Sequence, residues 1–324
     1  MTGLSDSFQR PINYLRISVT DRCNLRCVYC MPPGGVSLMR HEDILRYEEI
    51  HTIVATAAEL GISKIRLTGG EPLVRAGLAD LIRMLAGISA IDDISLTTNA
   101  ILLTQYAAEL KQAGLKRVNI SLDTLKAERF KNISRGGNIA NVLKSIETAK
   151  ATGLNPVKIN MVVMAGVNDD EIIDFAQKTI NDGWHVRFIE LMPFHSNQNS
   201  QFVPVNEMRR RLELLGKLEP CSVRGNGPAK YFRLPGAKGT IGFITPVSEH
   251  FCVQCNRLRL TADGKLRLCL MSEKEIDLRQ PLRNGASPVQ LKQLIQEAVA
   301  SKPESHHLAE GCVPKGRYFS QIGG

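Results

Sequence analysis

Six of the eight cysteines in this 324-residue chain fall in two tight sets. Cys23, Cys27 and Cys30 form a C-x3-C-x2-C loop; Cys252 and Cys255 form C-x2-C, with Cys269 after thirteen intervening residues. Three thiolates on one short loop can grip three corners of a cubic iron-sulfur cluster, because soft sulfur ligands suit such sites. No fourth cysteine follows in the first loop, so one iron would stay open to another ligand. The competing reading is a zinc ion completed from elsewhere, for example by His41, although zinc loops more commonly pair their cysteines as C-x2-4-C. For the second set the zinc alternative draws its fourth ligand from His250, Cys221 or Cys312. Against it stand Arg257 and Arg259, spaced to point the same way from an extended strand, since guanidinium forks bind phosphate or carboxylate bidentately. The second set therefore reads as a substrate site, a cluster with a free iron beside an arginine pair. Cys221 and Cys312 stand alone and read as small buried hydrophobes.

The elements that must position these residues are short β-rich runs at 14–19 (YLRISV), 64–68 (KIRLT), 94–98 (ISLTT), 117–122 (RVNISL), 157–163 (VKINMVV) and 185–192 (HVRFIELM). Between them apolar residues recur near every 3.6 positions, and the spacing predicts a helix over 42–60 with Gly61 as its stop. About six strand-helix units with right-handed crossovers make a parallel α/β sheet or partial barrel. Polar and ionisable residues gather where the strands end: Thr20 and Asp21, 68–71, 97–99, 121–123, Asn160, Glu190 and Met192. In barrels those C-terminal ends carry the active site. The alternation stops near Phe194, HSNQNSQ reads as a polar linker, and shorter strand-like runs follow (YFRL, IGFIT, RLRL, KLRLCL). The expected division is a first domain over 1–194 and a smaller one over 195–324.

Composition narrows the partners. The chain is 43% hydrophobic and 23% charged, an ordinary globular balance. No run approaches the roughly 18 apolar residues of a membrane span, and the N-terminus lacks a signal-peptide layout, so a cytoplasmic protein without membrane contact is expected. Lys and Arg exceed Asp and Glu by 41 to 32, a net charge of +9 that favours an anionic partner. Eight cysteines with no export signal argue for metal or redox chemistry rather than a disulfide scaffold.

The first cysteine loop, with an aromatic residue before its last cysteine, resembles the signature of the radical S-adenosylmethionine (SAM) superfamily. That resemblance implies a 4Fe-4S cluster whose open iron binds SAM, and reductive cleavage to a 5′-deoxyadenosyl radical. Gly69, Gly70, Glu71 and Pro72 match the GGEP motif that contacts the methionine end of SAM; two glycines permit close backbone approach, and Glu71 can accept from an amino group. From LRISVTDRCNLRCVYCMP through KIRLTGGEPL, VNISLDTL and RFIELMP to FCVQCNRLRLTADGKLRLCL and a terminal Gly323-Gly324, nearly the whole chain resembles the GTP 3′,8-cyclase family of molybdenum cofactor biosynthesis. The resemblance implies an incomplete (β/α)6 barrel of the triosephosphate-isomerase type with a smaller C-terminal domain, two 4Fe-4S clusters, and cyclisation of GTP to (8S)-3′,8-cyclo-7,8-dihydroguanosine 5′-triphosphate. It further implies a homodimer, an external electron donor, and product handover by diffusion to cyclic pyranopterin monophosphate synthase.

By position, the resemblance assigns SAM contacts to Tyr29, Gly70, Ser121 and Met192, and GTP contacts to Arg16, Lys64, Arg66, Thr97, Lys158, Arg187, Arg257 and Arg259. Basic groups on several strand ends converging on one cavity suit a polyanion. Arg16 with Arg257 or Arg259 would orient or protonate the reacting nucleotide, and the Gly323-Gly324 tail would reach into the active site. Ala100 departs from the family's usual glycine after LTTN, and alanine adopts positive φ only at a cost. Two other readings compete. One is a radical SAM peptide maturase, whose C-terminal region usually carries more cysteines. The other is an RNA-binding module with two zinc loops, which lacks the interleaved aromatics expected of one, at 5% aromatic residues overall; no nucleic-acid partner is expected.

Overall fold

The computed structural model describes residues 3–193, 201–306, 308 and 314–323. Six strands follow the expected alternation: β1 (Tyr14–Ser18), β2 (Lys64–Thr68), β3 (Asp93–Thr98), β4 (Arg117–Ser121), β5 (Lys158–Val163) and β6 (His185–Glu190). They are parallel neighbours in chain order. The helices between them are α1 (Tyr47–Glu59), α2 (Leu78–Ala86), α3 (Leu103–Gln112), α4 (Ala127–Ser134), α5 (Ile139–Ala151) and α6 (Ile172–Asn181).

The later strands are β7 (Glu219–Cys221), β8 (Lys230–Arg233), β9 (Thr240–Ile244), β10 (Arg257–Leu260), β11 (Lys265–Arg267) and β12 (Glu275–Asp277). They do not form a sheet of their own. β9 adds to β6 and β10 adds to β1, both in parallel, so the C-terminal part of the chain extends both edges of the central six. β7, β8, β11 and β12 then flank them in antiparallel pairs. The four runs YFRL, IGFIT, RLRL and KLRLCL coincide with β8 to β11. β7 and β12, at three residues each, carry no sequence signal. Helices α7 (Val205–Leu212), α8 (Arg279–Arg283), α9 (Pro288–Ala300) and α10 (Phe319–Ile322) complete the fold.

Strand alternation separates two environments. Leu15, Ile17, Ile65, Leu67, Ile94, Leu96, Val118, Ile120, Ile159 and Met161 join the main apolar core with the helices. The intervening positions are polar: Arg16 pairs in register with Arg66, Arg66 with Ser95, and Ser95 with Arg117. A parallel barrel normally fills its interior with branched apolar side chains. Here Arg66, Arg117, Asn119, Lys158 and Arg187 are all buried there, an interior built for something charged.

The helix expected over 42–60 begins later, at Tyr47. Ile44 is extended, the Leu45 amide donates to the Ala262 carbonyl at 2.8 Å, and Glu49 accepts from the Arg46 N–H at 2.7 Å. A tertiary hydrogen bond and a cap thus override an apolar period that runs on unbroken in the sequence. Ala100 adopts φ 62°, the left-handed conformation glycine would take at no cost. Its N–H donates to Thr98 Oγ1 and its carbonyl accepts from Ser145 Oγ at 2.7 Å, so the turn after β3 persists with alanine in it.

Candidate active site

The first cysteine loop leaves β1 and lies against the end of α4. The amides of Arg26 and Val28 donate to the carbonyls of Ser134 and Ile133, both at 2.9 Å. Arg135, itself at φ 52°, donates to the carbonyls of Arg26 and Met31. These bonds fix the loop so that Cys23, Cys27 and Cys30 border one cavity of about 310 Å³, in the range of ligand pockets. Asn99 Nδ2 and the Leu25 amide point at Cys23 Sγ. Burial pushes the thiols of Cys23 and Cys30 up to about 11 and about 12, and that of Cys27 well above the ordinary range.

The second set meets the same cavity from β10 and its flanks: Cys252, Cys255 and Cys269 all border it. For Cys255, burial alone would raise the thiol, but the charges of Arg257 and Lys302 and hydrogen bonds from Arg257 bring it down to about 7. Among the described residues no three His, Cys, Asp or Glu side chains close around a single ion. His41 and His250 are exposed and Cys221 sits on β7, none of them on the cavity wall. Three thiols spread over one wall suit a polynuclear cluster, and His306 shares that wall with them. Cys312 lies outside the described residues.

Between the two sets, Arg16, Arg66, Arg187, Arg257 and Arg259 face the cavity, with Thr97, Ser121, Tyr29, Gly69, Gly70 and Met192 on its wall. Burial first, then the neighbouring guanidiniums, lower Arg16 well below the usual arginine range and bring Arg66 and Arg259 to about 10. Arg66 Nη2 and Arg187 Nε are buried without a hydrogen-bond acceptor among the described residues. Concentrated positive charge of this kind is offset by an anion.

Four of the assigned residues that the structure describes, Glu71, Lys158, Lys64 and Gly323, do not border the cavity. Glu71 is 1% exposed and its oxygens accept from Leu73 N, Thr98 Oγ1 and Asn99 N, clasping the β2 and β3 loops; burial raises it to about 7. Lys158 donates to the Arg224 carbonyl at 2.7 Å, and burial draws it down to about 6. Lys64, at the opposite end of β2 from the glycines, is half-buried and does not border the cavity. Gly323 has been brought in from the far end of the chain: its carbonyl accepts from Arg16 Nη2 at 3.0 Å and Arg259 Nη1 at 3.3 Å. α10 anchors that tail, with Phe319 and Ile322 packed near Cys30, Met192, Leu270 and Met271. Gly324 lies outside the described residues.

Sequence reasoning did not single out Tyr14, Phe251, His306, Leu270 or Met271, which also line the cavity. Asp123 was visible only as one of the polar strand ends. It accepts from Tyr29 Oη at 2.8 Å and Val162 N at 2.9 Å, and burial raises it to about 6. Glu190 accepts from the amides of Val205, Val247 and Ser248, holding the start of α7 and the turn after β9.

Comparison with known proteins agrees with this geometry. Residues 17–179 match the Radical SAM superfamily, and residues 184–308 match Molybdenum Cofactor Synthesis C. Among curated proteins, a GTP 3′,8-cyclase of Pelotomaculum thermopropionicum is 56% identical, covering 99% of this chain and 100% of that protein. A GTP 3′,8-cyclase of Moorella thermoacetica is 55% identical with the same coverage. Among solved structures, Streptococcus suis SuiB bound to S-adenosylmethionine superposes with a TM-score of 0.63 over 90% of this chain and 68% of that one. At 13% identity that likeness speaks for the fold alone. With near-complete coverage at more than half identity, and both cysteine sets on one cavity, the chain belongs to the radical SAM superfamily and, within it, to the GTP 3′,8-cyclases.

Proposed function

We propose that this chain cyclises GTP to (8S)-3′,8-cyclo-7,8-dihydroguanosine 5′-triphosphate, the first step of molybdenum cofactor biosynthesis. The observation that carries the reading is the buried arginine group set between two cysteine triads on one cavity. A 4Fe-4S cluster held by Cys23, Cys27 and Cys30 would supply the electron that cleaves SAM; the 5′-deoxyadenosyl radical then takes hydrogen from C3′ of the ribose, giving 5′-deoxyadenosine, and C3′ bonds to C8 of guanine. Tyr29, Gly69, Gly70, Ser121 and Met192 hold SAM against that loop, and Glu71 fixes the glycine turn from behind. Cys252, Cys255 and Cys269 hold a second 4Fe-4S cluster at the guanine.

Arg16, Arg66, Arg187, Arg257 and Arg259 receive the triphosphate and orient the nucleotide, with Thr97 on the wall and Lys64 and Lys158 adding positive charge from beyond it. One electron from the external donor and a proton from Arg16 or one of the β10 arginines together convert the base radical left by ring closure into the product, and the Gly323-Gly324 tail closes the site. Residues 1–194 carry the SAM chemistry and residues 195–324 the auxiliary cluster and substrate. A homodimer, an external electron donor and diffusive handover to cyclic pyranopterin monophosphate synthase belong to the same proposal and rest on the family resemblance. The test is an anaerobic assay of reconstituted protein with dithionite and SAM, with and without GTP. GTP-dependent 5′-deoxyadenosine together with a GTP isomer supports the reading; SAM cleavage indifferent to GTP contradicts it.

A further inference from the structure

Behind the second cysteine set lies a cation that no step above uses. Lys302 follows α9, a helix packed beside α1, and is 3% exposed. Its ammonium donates to two backbone carbonyls, those of Arg257 at 3.1 Å and of Leu268. Arg257 lies two residues after Cys255, and Leu268 immediately precedes Cys269. One ammonium therefore ties together the two chain segments that present these cysteines, and both thiols lie within its field. Three of the next four residues, Pro303, Glu304 and His306, complete the clamp. Arg10, charge-balanced by Asp6, donates to the carbonyls of Cys252, Pro303 and Glu304, and the His306 backbone hydrogen-bonds the Cys252 sulfur.

A 4Fe-4S group held by three thiolates is net anionic and becomes more so on reduction. A buried positive charge beside it stabilises both states and the reduced state more, which raises the reduction potential. Outer residues that orient metal ligands typically change metal affinity by about 10–100-fold when removed. We infer that Lys302 is a positioning residue for the second cluster: it fixes Cys255 and Cys269 relative to each other and supplies the buried charge that holds the cluster and sets its potential. The inference rests on the reading that these cysteines carry a cluster.

The test uses the full chain with Cys23, Cys27 and Cys30 replaced by alanine, so that all bound iron reports the second site. In that background Lys302→Met is expected to lose iron to a chelator at least about tenfold faster and to show a more negative midpoint potential by electron paramagnetic resonance titration, while Lys302→Arg keeps both near the parent. Lys302→Met with unchanged iron loss and unchanged potential overturns the role of Lys302. Should Lys302→Met not accumulate as folded protein, Lys302→Gln, which keeps donors for the carbonyls but no charge, carries the same two readouts. A parent protein that binds no iron at all overturns the cluster reading itself, and the role of Lys302 with it.

Discussion

Arg16 lies buried in the fields of Arg259, Arg66 and Arg257, Arg66 in those of Arg187 and Arg117, and Arg259 in that of Arg257, so an anionic ligand in the cavity is favoured. A charge-assisted hydrogen bond lost from such a group costs about 1.5–3 kcal/mol. Arg257→Ala is accordingly expected to weaken GTP binding by roughly 10–100-fold, measured calorimetrically, while uncoupled SAM cleavage stays measurable; Cys27→Ser should abolish cleavage. Equal loss of cleavage in both would contradict the division into two functional halves of the cavity. Lys158 allows a test with a defined sign. Its pKa in the free protein is about 6, drawn down by burial and by Arg187, Arg117 and Arg66, so between pH 7 and 8 it is mostly neutral. A triphosphate brought near restores the ammonium, and GTP binding in that window should take up protons. Titrations in buffers of different ionisation enthalpy measure the uptake, and zero uptake would remove Lys158 from the substrate's surroundings. At this scale the sequence was most informative where chemistry demands a residue type at a fixed spacing, as with the six cysteines. It was silent on Lys302 and Tyr14, because a lone lysine or tyrosine acquires meaning only from segments far away in the chain.

Two glycines show how an element's path decides what the site can do. A Cβ on Gly70 would lie 2.4 Å from the Arg22 carbonyl oxygen, where the turn after β2 crosses the start of the cysteine loop. Backbone cannot yield cheaply, so Gly70→Ala should cost about 1–3 kcal/mol and loosen the first cluster, read as reduced iron content after reconstitution. Gly323 presents a different case, with φ 74° and Thr68 Cγ2 2.7 Å from an added Cβ. Gly323→Ala adds about 1–2 kcal/mol of backbone strain at a tail that touches Arg16 and Arg259. Turnover should fall several-fold with iron content unchanged, and a variant that loses iron instead would show the tail to be a scaffold for the metal-binding loops. Ala100 bears the same kind of strain, yet replacing it by glycine would also remove a fully buried methyl worth about 0.8 kcal/mol and loosen the unfolded chain by about 0.4–1 kcal/mol. These terms nearly cancel the relief. Ala100→Gly should leave stability within about 1 kcal/mol, as a denaturant titration would show, which explains how the turn tolerates alanine. The strands of the arc were legible because alternation and β-branched residues mark them. The late start of α1 was not, since the bond from Leu45 to Ala262 joins segments more than two hundred residues apart.

Across the whole molecule, the C-terminal part of the chain contributes β9 and β10 to opposite edges of one continuous sheet. That placement sets Cys252, Cys255, Cys269 and the arginine pair of β10 opposite the first cysteine loop, and it lets the chain's last helix fold back between them. The six-unit alternation was readable in advance; the joining of both edges was not, because pairing between distant strands leaves no local period. Among the described residues no helix is long and apolar enough to cross a membrane. The polar barrel interior is the global counterpart of the +9 charge: the basic excess is directed inward as well as displayed outside. The measurement closest to the central claim is to supply GTP deuterated at C3′ to the reconstituted, reduced protein with SAM and to weigh both products. One deuterium in 5′-deoxyadenosine, and a cyclised nucleotide lacking it, is the predicted result. Unlabelled 5′-deoxyadenosine with GTP recovered intact would contradict the account.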